Sequence, residues 1–262
     1  MHQETLLSPF IGSEVSGINV RTMGSTEFGV LNEVFLRRGV LVLRNQHLDA
    51  DELLAFASRW GTPWMGPMLR ATEGQTAVAT LSNRGKSGTV TEYWHFDTSF
   101  SATPPAITLL SAIDIPPVGG DTMWCDQYGI YDALSDGMKR MLQGLRAVHY
   151  DKQRHKTLEG RSPSSEVAVH PVVRTHPVTG RKSLYISGQA EHFEDMTREE
   201  SRPLLEWLLG QLGQPDHVYR HRWQVGDLLM WDNRSTTHYA IHDYGDYPRR
   251  LHRVTLQGDL PR

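Results

Sequence analysis

Two stretches far apart in the chain carry side chains able to hold a divalent metal together. In Trp94-His95-Phe96-Asp97, the histidine and the carboxylate stand two residues apart. On an extended strand that spacing projects both from one face. In WDNRSTTHYA, Asp232-Asn233-Arg234 reads as a turn after a strand, and His238 sits just beyond it. A His-x-Asp pair joined by a distant histidine is the facial triad of non-haem iron(II) sites, which leaves positions open for a co-substrate and oxygen. A third stretch, RRLHR, puts Arg249 and Arg253 four apart. In a strand both guanidiniums then share a face, while Arg250 and His252 point the other way. Two such forks beside a metal would suit carboxylates, whose bidentate geometry arginine matches.

These residues need a scaffold that brings distant strands together. From about Gln75 onward the chain reads as short strands separated by turn signals, among them TAVATLSN, PPAITLLSAI, GGDTMWC, RAVHYD, EVAVHPVVRTH, RKSLYIS, HVYRHRW, GDLLMWDN and RRLHRVTLQG. Many short strands so spaced point to a sandwich or barrel. Helical patterns occupy Phe28 to Arg38, a segment running from an Asp49 or Asp51 cap to a closing Gly61, Tyr128 to Leu142, and Thr197 to Leu212. The last opens with a capping box, Thr197 with Glu200. The expected organisation is one domain over 1–262: an α/β part over 1–74, then a β core with a helical insert and a polar lid loop near 154–165. Its fold class is mainly β with flanking helices.

Composition excludes several classes. The chain has 262 residues, 27 Lys+Arg against 30 Asp+Glu, a net charge of −3, thirteen histidines and one cysteine. That balance carries no electrostatic footprint for nucleic acid. One cysteine, Cys125, allows no intramolecular disulfide and no multi-cysteine metal site, and it reads as a small buried hydrophobe. Neither a signal peptide nor an apolar run of membrane-spanning length is present, so a cytoplasmic protein with no membrane partner is expected.

The motifs YWHFDTSF (93–100), PPAITLLSAIDIPPVGGDTMW (104–124), HPVVRTHPVTGRKSLYIS (170–187), GDLLMWDNRSTTHYA (226–240) and PRRLHRVTLQGD (248–259) occur in an order that resembles the taurine dioxygenase / 2,4-dichlorophenoxyacetate dioxygenase family. LRNQHLDADELLAFASRWG resembles the family's opening, so the likeness covers almost the whole chain. It implies a double-stranded β-helix (jelly roll) and a 2-oxoglutarate-dependent dioxygenase. It also implies Fe(II) held by His95, Asp97 and His238, with 2-oxoglutarate and O2 as co-substrates. By the same likeness Arg249 and Thr122 hold the distal carboxylate of 2-oxoglutarate, and Arg253 faces the anionic end of the primary substrate. Halogenating relatives replace the carboxylate at position 97 with a small residue, so Asp97 argues against halogenation. Desaturation and other oxidative outcomes use the same triad. The competing class is a cupin-like metal- or ligand-binding protein, which would have no need of a dicarboxylate clamp. Analogy with the family gives a homo-oligomer, a dimer or tetramer.

Members acting on taurine hold its head with a histidine, a tyrosine and an asparagine. Aligned without gaps, those places hold Gly66, Leu69 and Thr91 here. The expected substrate is therefore a small anionic molecule less polar than taurine. It would meet Thr91 and an apolar wall of Trp64, Met65, Met68 and Leu69. The remaining histidines have blander readings. His170 and His176 belong to a prolyl-flanked turn, and His242 and His252 stay outside the site. His149, His155, His192, His217 and His221 are surface or hydrogen-bonded groups. Trp94 and Trp231 are core walls.

Overall fold

The computed structural model describes residues 2–66, 71–83, 91–151 and 167–262. The amino-terminal part runs β1 (Gln3–Leu6), β2 (Ser13–Ser16), α1 (Ser25–Arg38), β3 (Val40–Leu43), α2 (Ala50–Ala57), β4 (Pro63–Trp64) and β5 (Ala79–Ser82). The middle contains β6 (Ile107–Asp114), β7 (Thr122–Asp126), α3 (Gln127–Ala133), α4 (Asp136–Leu142) and β8 (Arg146–Tyr150). Then come β9 (Val167–Pro171), β10 (Val173–Thr175), β11 (Lys182–Leu184), β12 (Ala190–Phe193) and α5 (Arg198–Leu209). The chain closes with β13 (Val218–His221), β14 (Leu228–Asp232), β15 (Thr236–Ala240) and β16 (Arg250–Leu256).

Eight strands form the major sheet, in the order β1-β2-β3-β14-β6-β16-β4 with β5 on the other part of β16. A three-stranded sheet, β13-β7-β15, faces it. The period-2 alternation of the central strands explains the layering. Along β14, Leu229 and Trp231 enter the core between these sheets, with Leu110, Trp124, Tyr219, Trp223 and Leu251. Leu228 and Met230 point the other way, to a second core under α1 and α2 that includes Leu31, Phe35, Leu53 and Phe56. A strand covered on both faces reads as a continuous apolar run, and burying each such side chain contributes roughly 1.5–3 kcal/mol. Helices α3, α4 and α5 pack on a third core with the β12-β8-β9 and β10-β11 sheets. The architecture is mainly β with flanking helices, a double-stranded β-helix.

Several boundaries differ from the sequence expectation, each for a local reason. The segment Tyr128 to Leu142 is two helices, because Ser135 caps a new one by accepting the Met138 N–H. Asp49, not Asp51, caps α2 in a reciprocal box with Glu52, and the helix stops at Ala57, short of Gly61. Gly39 is the left-handed cap of α1 at φ 69°, and β3 starts immediately after it. Thr197 and Glu200 do form the expected capping box. The 154–165 segment lies outside the described residues.

Candidate active site

His95 and Asp97 do not sit on a regular strand. His95 forms an isolated antiparallel bridge with His238 of β15, and Asp97 opens the turn that follows. The two histidines exchange peptide hydrogen bonds, His95 N to His238 O at 3.0 Å and His238 N to His95 O at 2.9 Å. Directly opposed residues on neighbouring strands lie close, and the two imidazole rings are 4.0 Å apart. One ligating atom from each of His95, Asp97 and His238 falls within 4.8 Å of the others, and all three side chains are buried.

Hydrogen bonding fixes the donor set. The His95 Nδ1 lies 2.8 Å from the Tyr93 carbonyl, which can only accept, so Nδ1 carries the proton and Nε2 keeps its lone pair. Burial pushes the His95 imidazole below its ordinary pKa, and burial beside His95 pushes His238 well below. Burial alone would raise the Asp97 carboxyl, but the Arg253 guanidinium and the two imidazoles hold it below the usual carboxylate range. Two neutral imidazoles and an ionised carboxylate are the protonation states a divalent metal requires. The cluster fits Fe(II).

A cavity of about 530 Å³ opens over this cluster. On one side Arg249 and Thr122 line it. The Arg249 guanidinium donates to the Gly120 carbonyl and, among the described residues, forms no ion pair with a carboxylate. Burial lowers its pKa from the ordinary arginine value. Gly120, at φ 72°, is required here: a Cβ would lie 3.2 Å from the Arg249 side chain and 3.1 Å from Tyr244. The Thr122 hydroxyl accepts from the Trp223 indole at 3.0 Å, which leaves its own proton to donate. A buried cation and a hydroxyl donor lining one cavity suit the carboxylate of 2-oxoglutarate.

The alternation expected for the last strand holds: Arg249, Arg253 and Thr255 line the cavity, while Val254 and Leu256 join the opposite core. Arg253 is nevertheless not a free cation. Its Nη2 lies 2.6 Å from Asp97 Oδ2, while its buried Nε has no hydrogen-bond partner among the described residues. Trp64 and Thr91 reach the wall as expected, but Met65 does not. Met68 and Leu69 lie outside the described residues, as does His155. The wall also contains Tyr93, Thr98, Phe100, Gln189, His242 and Tyr244, which the sequence reading left out. For His242 a signal existed, since 238, 240 and 242 alternate onto one face and all three line the cavity.

His170 and His176 stay out of the cavity. His176 accepts from the Val178 and Thr179 N–H groups at Nδ1 and donates from Nε2 to Asp232. His170 donates to the Ser99 and Ser101 carbonyls, and the neighbouring His149 donates to the Ser99 hydroxyl, so this pair anchors the turn behind Asp97. Burial pushes His149 down to about 3 and His170 down to about 4 from the ordinary 6.5. Below about pH 6.5 the unfolded chain takes up protons on both imidazoles while the folded protein does not. Stability is therefore expected to be full above that pH and to decline from 6.5 down to about 3, read as melting temperature against pH. The double variant His149→Gln/His170→Gln should flatten that decline, and an unchanged slope would contradict the assignment.

Comparison with known proteins shows the family. Residues 3–255 match the family profile described as taurine catabolism dioxygenase TauD, TfdA family. The chain is 36% identical to the alpha-ketoglutarate-dependent 2,4-dichlorophenoxyacetate dioxygenase of Cupriavidus pinatubonensis, over 97% of this chain and 96% of that protein. Its fold superposes on the crystal structure of a putative alpha-ketoglutarate-dependent taurine dioxygenase from Burkholderia xenovorans with a TM-score of 0.89 and 31% identity. That match covers 100% of this chain and 94% of the other. It also superposes on AAD-2 in complex with Mn(II) and N-oxalylglycine, with a TM-score of 0.86 and 31% identity over 100% and 99% of the two chains. No helix among the described residues is long and apolar enough to cross a membrane. The chain belongs to the TauD/TfdA family, as a 2-oxoglutarate-dependent dioxygenase that uses Fe(II), 2-oxoglutarate and O2.

Proposed function

We propose that this dioxygenase oxidises a small organic acid less polar than taurine, by hydroxylation at carbon. Where the hydroxylated carbon bears an oxygen or sulfonate leaving group, the product collapses with C–O or C–S cleavage. In this reading His95, Asp97 and His238 hold the Fe(II), and Arg249 with Thr122 takes the distal carboxylate of 2-oxoglutarate. Bound together, Fe(II), 2-oxoglutarate and O2 supply an oxidant able to remove hydrogen from carbon, with succinate and CO2 released. The protein's own share is placement. Arg249 supplies a buried positive charge, and Thr122 a directed hydroxyl. Arg253 has donors beyond the one facing Asp97, and these are available to an anionic group on the primary substrate.

The observation that carries this reading is the Arg249 guanidinium, buried beside the triad in one cavity and lacking a carboxylate partner among the described residues. Lack of polarity on the substrate side is supported by Gly66. A Cβ there would come 3.0 Å from the Trp64 ring, so an indole fills the place where taurine-specific members carry a polar side chain. Trp64, Tyr93, Phe100 and Trp231 give the wall an aromatic character that suits an aryl or alkyl body. Succinate release across a panel of aryloxyalkanoates, alkyl sulfate esters, sulfonates and amino-acid derivatives tests the reading. A bulky monoanion is expected to exceed taurine in kcat/KM by at least about 100-fold, the size of effect from losing several polar contacts. Taurine as the best substrate would refute it.

A further inference from the structure

We propose that Thr108 and Asn233 are positioning residues that present Asp97 to the metal through a single oxygen, Oδ1. This rests on the metal-binding reading of the triad. The hydroxyl of Thr108, on β6, donates to Asp97 Oδ2 at 2.6 Å, and Arg253 occupies the same oxygen. Oδ1 is the atom turned towards His238, 3.7 Å from its Nε2. The Asn233 amide closes a ring around the residue. Its Nδ2 donates to Thr108 Oγ1 at 2.9 Å, and its Oδ1 accepts the Asp97 backbone N–H at 3.3 Å and the Trp231 indole N–H at 3.0 Å. Side chain and backbone of Asp97 are thus both tied to one asparagine, directly or through one hydroxyl.

The direction of every bond in this ring follows from chemistry. An ionised carboxylate only accepts, so Thr108 must donate to it. A hydroxyl has one proton, so towards Asn233 it must accept, and that turns the amide NH2 to Thr108. The amide oxygen is then left for the Asp97 N–H and the indole. Thr108, Asn233 and Trp231 are fully or almost fully buried, so water does not compete for these bonds. The restraint opposes a local tendency to relax. Thr98, immediately after Asp97, is a β-branched residue at φ 45°, a left-handed conformation that costs about 1–3 kcal/mol. Holding the Asp97 N–H keeps that turn from drifting and taking the ligand with it.

Thr108→Val keeps the shape and removes the hydroxyl, freeing Oδ2 from one of its two restraints and leaving the Asn233 NH2 without its acceptor. Thr108→Ser restores the donor. The measurement is Mn(II) affinity by calorimetry, without 2-oxoglutarate, on variants matched for circular dichroism, with the melting temperature read alongside. The expected result is a 10- to 100-fold loss for valine, the usual cost of losing an outer-shell partner, and a change within about threefold for serine. A purely structural Thr108 would lower the melting temperature and leave the affinity of the folded fraction unchanged. Valine binding Mn(II) as tightly as the parent, or serine losing as much as valine, overturns the proposal. If the valine variant does not fold, Thr108→Cys, a weak donor, replaces it. Its affinity is expected to fall below that of serine, and parent-like affinity overturns the proposal. A parent chain that does not bind Mn(II) would overturn the triad reading and this proposal together, whereas tight parental binding with an unaffected valine variant defeats this proposal alone.

Discussion

Asp97→Ala is expected to weaken divalent-metal binding by about 10²- to 10³-fold and to leave turnover undetectable. The substitution removes the only carboxylate of the triad and leaves two neutral imidazoles. It also strands a second charge, because Arg253 is paired with Asp97 at 2.6 Å. Breaking a buried ion pair by deleting one partner costs about 3–5 kcal/mol, since the survivor remains desolvated and uncompensated. Melting temperature and metal affinity should therefore fall together, the first through Arg253 and the second through the lost ligand. Calorimetric titration with Mn(II) and a thermal melt separate the two effects. Metal binding within tenfold of the parent would remove Asp97 from the ligand set.

Arg249→Leu is expected to behave in the opposite sense on stability while disabling the co-substrate site. Arg249 is desolvated and makes a single hydrogen bond to a backbone carbonyl, with no counter-ion among the described residues. Such a cation is held at a cost to the fold, and an apolar replacement should leave the melting temperature equal or higher. Affinity for 2-oxoglutarate should nevertheless drop by about 10²- to 10³-fold, the effect of losing a charge-assisted bidentate partner in a buried site. Mn(II) affinity without co-substrate should be unchanged, because Arg249 does not touch the triad. Under anaerobic conditions the weak visible band given by Fe(II) with 2-oxoglutarate should disappear at concentrations that saturate the parent. A retained band would show that the dicarboxylate is held elsewhere.

Much of this site can be read from residue order alone, and the boundary of what can be read has physical causes. His95, Asp97 and His238 announce themselves as candidates because a metal site needs particular side-chain chemistry at particular positions. Arg249 and Arg253 share a face because strand alternation is local, and that part of the reading survives in the structure. The strands β14 and β6 are apolar on both faces and legible as buried. In contrast, β1 and β2 are short and carry polar or charged residues, so their pairing depends on the rest of the sheet being present. The roles of Thr108 and Asn233 are hidden for a similar reason. Their relation to Asp97 spans many residues and exists only once three segments meet. The one local hint is that Thr108 places a hydroxyl on the inward face of a strand that is otherwise mostly apolar. Arg253 shows the converse limit. Its chemistry is evident from sequence, but the neighbour it neutralises is not.

The His95–His238 bridge sets the spacing of the two proposed histidine ligands through peptide hydrogen bonds. In metal proteins whose ligands converge only when the ion arrives, emptying the site undoes the fold, so loading and folding are one event. Here the distance between the two imidazoles is a property of strand pairing and is independent of what they grip. A centre built this way would work like a socket: with His95 and His238 as ligands, it could be emptied, refilled or tried with a different first-row ion without rebuilding the protein around it. Choice among ions would then fall to the ligand set and to cellular supply.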